Sequence, residues 1–307
     1  MRWVTYRGAA GDRVGLLRDD GIRALVPGVQ LLDLLGDDGT RLRAAEEFAT
    51  SQPAEVVAAD TAELVAPIGR PPSIRDFYAF EDHVRTARQG RGLEMDPDWY
   101  ELPVFYFTNP AAVVGTGAPV AIPPGCQALD FELEVAAVVG HGGRDLSPAE
   151  AEAHIAGYMV MNDWSARDLQ QREMKQGLGP AKGKDFATSL GPAFVTSDEL
   201  EPLRKGKAFD LTMVARVNGR EYSRGNLSDI HWSFGQMLAY ASRGTEIVAG
   251  DIVGSGTCGT GCILELSLTH GADAYPWLQA GDVVELEVKG LGTLVNRVIP
   301  GGAVEPL

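Results

Sequence analysis

The stretch Leu129 to Gly140 reads LDFELEVAAVVG. Side chains alternate across a strand, so Asp130, Glu132 and Glu134 share one face while Leu133 and Val135 take the other. The run then continues as an almost wholly apolar core strand. Like charges at the edge of a core repel, and the repulsion grows as water is excluded. A divalent cation with oxygen ligands removes that cost; the alternative is a solvated acidic face. Two further acids stand in comparable places. Asp163 follows the apolar run GYMVMN and precedes SARDLQQREM, at a strand end just before a helix. Asp76 lies in IRDFYAFEDHV among apolar and aromatic residues. Taken alone, a helix-entry acid is the better reading of Asp163 and a loop acid the better reading of Asp76.

The elements that must position these acids can be read from pattern. Residues 1–25 form short alternating runs broken by Gly and Asp-Asp-Gly, the mark of a small antiparallel sheet with tight turns. VQLLDLLGDD and TRLRAAEEFAT suggest short helices, the first stopped by Gly36. Pro67, Gly69, Pro71 and Pro72 mark a linker, which places a boundary near residue 70 between a small N-terminal β/α domain (1–70) and a larger catalytic domain (71–307). Beyond it, strand candidates separated by Gly and Pro turns predominate, including VFYFT, LEVAAVVG, GYMVMNDW, FDLTMVARVNG, DIVGSG and VVELEVKGLGTLVNRVI. Two helices interrupt them. SPAEAEAHIA opens with a capping box, Ser147 and Glu150. SARDLQQREMKQG opens with Ser165 as N-cap and Asp168 in its first turn, and ends before Gly177. The strands lie too close together for repeated βαβ crossovers, so the class is α+β and β-rich.

Composition narrows the function. The 307 residues are 45% hydrophobic and 22% charged, the profile of a globular protein. A net charge of −15 without a basic run argues against a nucleic-acid partner. No signal-like apolar core and no apolar run of about 18 residues occurs, which excludes a membrane partner and gives a cytoplasmic expectation. Cys126, Cys258 and Cys262 are too few for a disulfide framework and lack zinc-ligand spacing, so they read as reduced thiols.

In order and spacing, LDFELEVAAVVG, the capping-box helix, GYMVMNDWSARDLQ and GLGPAKGKDFATSLGPAFV resemble the fumarylacetoacetate hydrolase family, from about Asp76 to about Ser267. The pattern is most similar to that of the members that cleave fumarylacetoacetate. The resemblance implies a mixed β-sandwich roll with a small N-terminal domain, and a homodimer. It also implies a divalent cation, usually Mg2+ and in some members Ca2+ or Mn2+. The ligands would be Asp76, Glu132, Glu134 and Asp163, with the Thr188 oxygen assisting. Asp130 shares their strand face but is not a ligand in the family motif; a salt bridge or hydrogen bond nearby is its expected role.

His83, seven residues after Asp76, matches the family's catalytic histidine. A hydrolase needs water made nucleophilic near neutral pH, and imidazole titrates in that range. Such a base needs a carboxylate to fix its tautomer. Glu265 in CILELSLTH, read as a strand in which it alternates with Leu264 and Leu266, matches that partner. Arg167, Gln170 and Met174 fall on one helix face. The family places Arg and Gln at the first two positions to bind substrate oxygens. Met174 stands where fumarylacetoacetate-cleaving members carry a Tyr. Lys184 matches a lysine near the metal that could stabilise an enolate. Tyr106 and Thr257 match substrate contacts, Thr257 in a Gly-rich turn whose N–H groups could hold a carboxylate. The family's substrate arginine after the histidine is out of register, leaving Arg85, Arg88 or Arg91. Asn109 and Thr86 replace a Lys and a Glu of the acylpyruvate-cleaving relatives, which favours the type assisted by Glu265.

The expected activity is metal-dependent hydrolysis of a carbon–carbon bond in a small anionic 1,3-dicarbonyl acid. Decarboxylation, hydration or isomerisation of a 2-oxo acid at the same metal is the nearest rival. A metal-binding protein without catalysis is a second rival, opposed by the ligand set and the His83–Glu265 pair.

Overall fold

The computed structural model describes residues 1–305. Its strands form two main sheets. The larger has twelve strands, with a main path running Glu55–Val57, Gly21–Ala24, Gly11–Arg18, Arg2–Gly8, Thr188–Thr196, Ile155–Asp163, Leu133–Val139, Ile252–Gly254, Ile74–Phe77 and Phe105–Thr108. Neighbours on this path are antiparallel except Ile252–Gly254 and Ile74–Phe77, which are parallel. The second sheet has five strands in the order Arg220–Asn226, Thr212–Val217, Val283–Val288, Gly292–Ile299 and Pro119–Ala121. The class is α+β and strand-rich, as the pattern of short runs and Gly/Pro turns implies.

The central strand Leu133–Val139 is buried along its whole length. Leu133, Val135, Ala137 and Val139 join a core cluster with Leu286, Leu294 and Val298 of the second sheet. Ala136 and Val138 join the opposite cluster with Trp3, Leu16 and Leu42. Burial on both faces explains why this strand reads as a continuous apolar run. Glu132 and Glu134 lie at its start, in phase with Ala136 and Val138.

The first 25 residues form the expected hairpins, and these continue the central sheet. Arg2 and Trp3 pair with Val195 and Phe194. Residues on both sides of position 70 thus share one sheet and one core cluster. The helix Thr40–Ser51 forms as expected, whereas VQLLDLLGDD yields a single 3-10 turn, Leu31–Leu34. Pro148–Ala153 carries the expected Ser147/Glu150 capping box.

Three local readings change. The helix of SARDLQQREMKQG starts at Arg167 with Ala166 as N-cap. Ser165 instead pairs with Asp130 in a two-residue ladder, and its hydroxyl donates to Asp163 O. CILELSLTH is the helix Ile263–His270, because alternation over so few residues does not separate the two periods. Phe234–Ala241 is an unforeseen helix, although its Ser233/Gln236 capping box was legible. Among the described residues no helix is long and apolar enough to cross a membrane.

Trp3 is fully buried where the N-terminal strand meets the central sheet. Trp3→Ala should cost about 3–5 kcal/mol in urea unfolding, in one transition. A loss below about 1 kcal/mol would contradict the shared core.

Candidate active site

Three strands of the central sheet, two of them neighbours and the third one strand further on beyond Ile252–Gly254, bring four acids together. Asp76 lies in Ile74–Phe77, Glu134 in Leu133–Val139 with Glu132 just before it, and Asp163 ends Ile155–Asp163. All four are buried, and one oxygen from each lies within 4.8 Å of the others. Two glycines permit this approach. A Cβ on Gly254 would fall 2.3 Å from Asp76 Oδ1. Gly256 has φ +74°, and a Cβ there would fall 2.4 Å from Phe77 O. Gly256 N donates to Asp76 Oδ1 at 3.3 Å and to Glu134 Oε2 at 3.1 Å. This N–H of the Gly-rich turn therefore serves the chain's own carboxylates.

The electrostatics record the cost. Burial, reinforced by the charge of Asp163, pushes Asp76 well above the usual carboxylate range. Burial and Asp76 do the same to Glu134. Burial also raises Asp163. For Glu132, burial is outweighed by Lys184, Arg167 and His83, which hold it below the usual range. Lys184 Nζ donates to Glu132 Oε2 at 2.6 Å and to Asp163 Oδ2 at 2.5 Å. Burial works against the Lys184 charge, but Asp163 and Glu132 more than offset it and hold the ammonium protonated.

Three buried oxygens around this cluster have no hydrogen-bond partner among the described residues: Glu134 Oε1, Asp163 Oδ1 and Thr188 Oγ1. Thr188 lies directly opposite Asp163 in the strand register. Such orphans cost about 1–3 kcal/mol each. An oxygen-only, carboxylate-rich donor set suits a hard cation of the Mg2+, Ca2+ or Mn2+ kind, and these residues fit one.

Beside the cluster lies a second polar pair. His83, third residue of the helix Glu81–Gln89, places Nδ1 2.7 Å from Glu265 Oε2. Both side chains are buried, His83 at 6% exposure and Glu265 at 2%. Glu265 is thus a helix-borne internal acid, not a strand acid facing solvent. Cys262 connects the two groups. It forms a β-bridge with Glu132, and its Sγ–H donates to Glu265 Oε2 at 3.7 Å. The Tyr78 ring meets His83 edge-on at 5.4 Å. Neither Cys262 nor Tyr78 was singled out from sequence for this site. Their signals are proximity alone, three residues before Glu265 and two after Asp76.

The remaining sequence candidates divide. Arg167 is largely internal: Nε donates to Asp130, Nη2 to Glu132 Oε1 at 2.8 Å and Nη1 to Gln170 Oε1 at 3.2 Å. Tyr106 donates its hydroxyl to Asp163, and burial pushes its pKa well above 10.0. Thr257 is buried in the turn before the helix Ile263–His270. Met174 is 46% exposed at the end of the helix Arg167–Met174. Arg85 bridges Glu81 and Asp82, and Arg88 pairs with Asp96. Arg91 has no carboxylate partner among the described residues, and its charge acts on Tyr78.

Residues 73–299 match the family model described as fumarylacetoacetate (FAA) hydrolase C-terminal, and the chain belongs to this enzyme family. One relative is the fumarylacetoacetase of Bos taurus, 32% identical over 291 residues, covering 77% of this chain and 67% of the relative. Another is a mitochondrial oxaloacetate tautomerase of Homo sapiens, 32% identical over 200 residues, covering 64% of this chain and 59% of the relative. A solved fumarylacetoacetate hydrolase from Exiguobacterium antarcticum matches with a TM-score of 0.73 at 27% identity, over 98% of this chain and 99% of that one.

The upward shift of Asp76 and Glu134 favours their protonated forms, against which a cation must compete, so affinity should rise with pH above their ordinary values of 3.8 and 4.5. Calorimetric titration with Mg2+ should show one ion per chain and this pH dependence. Glu132→Ala and Asp163→Ala should each lose more than the roughly 10–100-fold that outer partners cost. Unchanged affinity in both variants would remove the site.

Proposed function

We propose that the chain is a divalent-metal-dependent hydrolase acting on a carbon–carbon bond in a small 1,3-dicarbonyl acid of the fumarylacetoacetate or acylpyruvate kind. The observation that carries this reading is the buried His83–Glu265 pair beside the four-carboxylate cluster. Asp76, Glu132, Glu134 and Asp163, with Thr188, would hold the cation. When bound, it supplies Lewis-acid polarisation and a template for two substrate oxygens.

With Nδ1 committed to Glu265, His83 has Nε2 free to take a proton from water. The Glu265 carboxylate stabilises the resulting imidazolium. The hydroxide adds to the acyl carbonyl carbon. The bond from that carbon to the neighbouring methylene then breaks, its electron pair leaving as an enolate that the imidazolium protonates. Lys184, with its fixed charge, stabilises the developing enolate oxygen. Gln170 and Arg167 position substrate oxygens, Arg167 with the hydrogens its internal partners leave free. Arg91 receives the distal carboxylate, because its charge is not already matched by an acid. Tyr106, Thr257 and Met174 border the substrate, and Met174 favours a more apolar tail. A cytoplasmic homodimer belongs to the same reading, supported by the family resemblance and the net charge of −15.

A second reading is favoured by the similarity to the human tautomerase. There His83 would take a proton from substrate carbon instead of water, and no bond between carbons would break. Decarboxylation of a 2-oxo acid is a third outcome of the same test.

Turnover of acetylpyruvate and fumarylacetoacetate in ¹⁸O-water, followed by mass spectrometry, separates these. Hydrolysis places label in one product carboxylate. His83→Ala should lower turnover by about 10²–10⁴ with the cation site intact, and Glu265→Gln nearly as much, without the two losses adding. Tautomerised substrate, or carbon dioxide without labelled acid, would defeat the hydrolase reading.

A further inference from the structure

The helix Ile263–His270 carries Glu265 in its first turn, yet it lacks a local cap. Its N-cap residue is Cys262, whose side chain makes no capping hydrogen bond. The first backbone N–H groups of a helix have no partner within the helix and need acceptors from elsewhere. Ile263 N donates to Asp130 Oδ1 at 2.7 Å and Leu264 N to Asp130 Oδ2 at 3.0 Å, from 133 and 134 residues away in sequence. A carboxylate at this end also complements the helix dipole.

The same carboxylate has a second task. Asp130 Oδ2 accepts from Arg167 Nε at 2.8 Å, and Arg167 in turn donates to Glu132 of the acidic cluster. Asp130 has 0% exposure, so its charge depends on these three donors together. One short side chain therefore spans the helix that orients His83 and the arginine fixed to the carboxylate cluster. Among the described residues Asp130 is hydrogen-bonded to Arg167, Ile263 and Leu264, and not to His83 or Glu265.

We propose that Asp130 is a positioning residue that sets the placement of Glu265, and through it His83, relative to the carboxylate cluster. This rests on the hydrolase reading above. Asp130→Asn keeps the shape, but an amide accepts on only one atom and turns a donor towards one of the three donors it must satisfy.

The test is a cycle of Asp130→Asn, Glu265→Gln and the double variant on whichever of acetylpyruvate and fumarylacetoacetate the wild type turns over. Asp130→Asn should lower kcat about 10–100-fold while Mg2+ affinity stays within about threefold. The double variant should fall no more than about threefold below Glu265→Gln alone, because the two act through one group. Unchanged kcat in Asp130→Asn, or losses that multiply, would overturn the inference and leave the hydrolase reading standing. Full activity of Glu265→Gln alone would instead defeat the hydrolase reading. Amide hydrogen exchange then still decides the placement, independently of turnover. Ile263 and Leu264 should exchange about tenfold faster in Asp130→Asn and at the wild-type rate in Glu265→Gln. Wild-type protection in Asp130→Asn would overturn the inference. Should that variant not fold, Asp130→Asn/Arg167→Gln removes the unpaired cation, and the same readings are taken against Arg167→Gln.

Discussion

Four carboxylates share a space in which each offers an oxygen within 4.8 Å of the rest, all withdrawn from water. Much of the surrounding structure follows from that constraint. Arg167 is drawn inward to Glu132, and Lys184 to Glu132 and Asp163, where their charges offset the repulsion among buried carboxylates. Gly254 is needed because a side chain there would displace Asp76. The Gly256 N–H, aimed at Asp76 and Glu134, adds one more positive dipole. Even so, Glu134 Oε1, Asp163 Oδ1 and Thr188 Oγ1 remain without partners among the described residues, an arrangement that suits a hard cation.

The proposed chemistry needs a second constraint, that a base be held near this charge without joining it. Burial of the His83–Glu265 pair separates the two tasks, with Nδ1 facing Glu265 and the ring next to Tyr78. Their supports come from distant parts of the chain. The helix bearing His83 follows the strand of Asp76, and the helix bearing Glu265 follows the strand of Gly254. Those two strands are parallel neighbours, so the helices bearing His83 and Glu265 both follow them at the same end of the sheet.

Much of this was legible in the sequence, for physical reasons. Glu132 and Glu134 stand out because a period of two places both on one face of a strand that is otherwise apolar. Asp163 and Asp76 gained meaning only together, and the motif order of the family supplied that. Glu265 does contact His83 but stands on a helix and not on the strand expected, since CILELSLTH is too short for its period to decide between helix and strand. What decides it is tertiary: Asp130 accepts from the opening amides, a contact spanning 133 residues that no local pattern displays. The Ser165 cap failed for a related reason, its backbone being held in the ladder with Asp130. The continuity of the N-terminal hairpins with the central sheet was hidden too, because the pairing of Trp3 with Phe194 is long-range.

The central claim is that the acidic cluster holds one hard divalent cation beside the His83–Glu265 pair. Anomalous diffraction from crystals grown with Mn2+ tests it most directly. The account requires one peak per chain, at about 2.0–2.6 Å from carboxylate oxygens of Asp76, Glu132, Glu134 and Asp163. It also requires the His83–Glu265 contact to be retained. A map with no peak in the cluster at millimolar Mn2+, or a peak held instead by His83, Cys262 and Glu265, would contradict it.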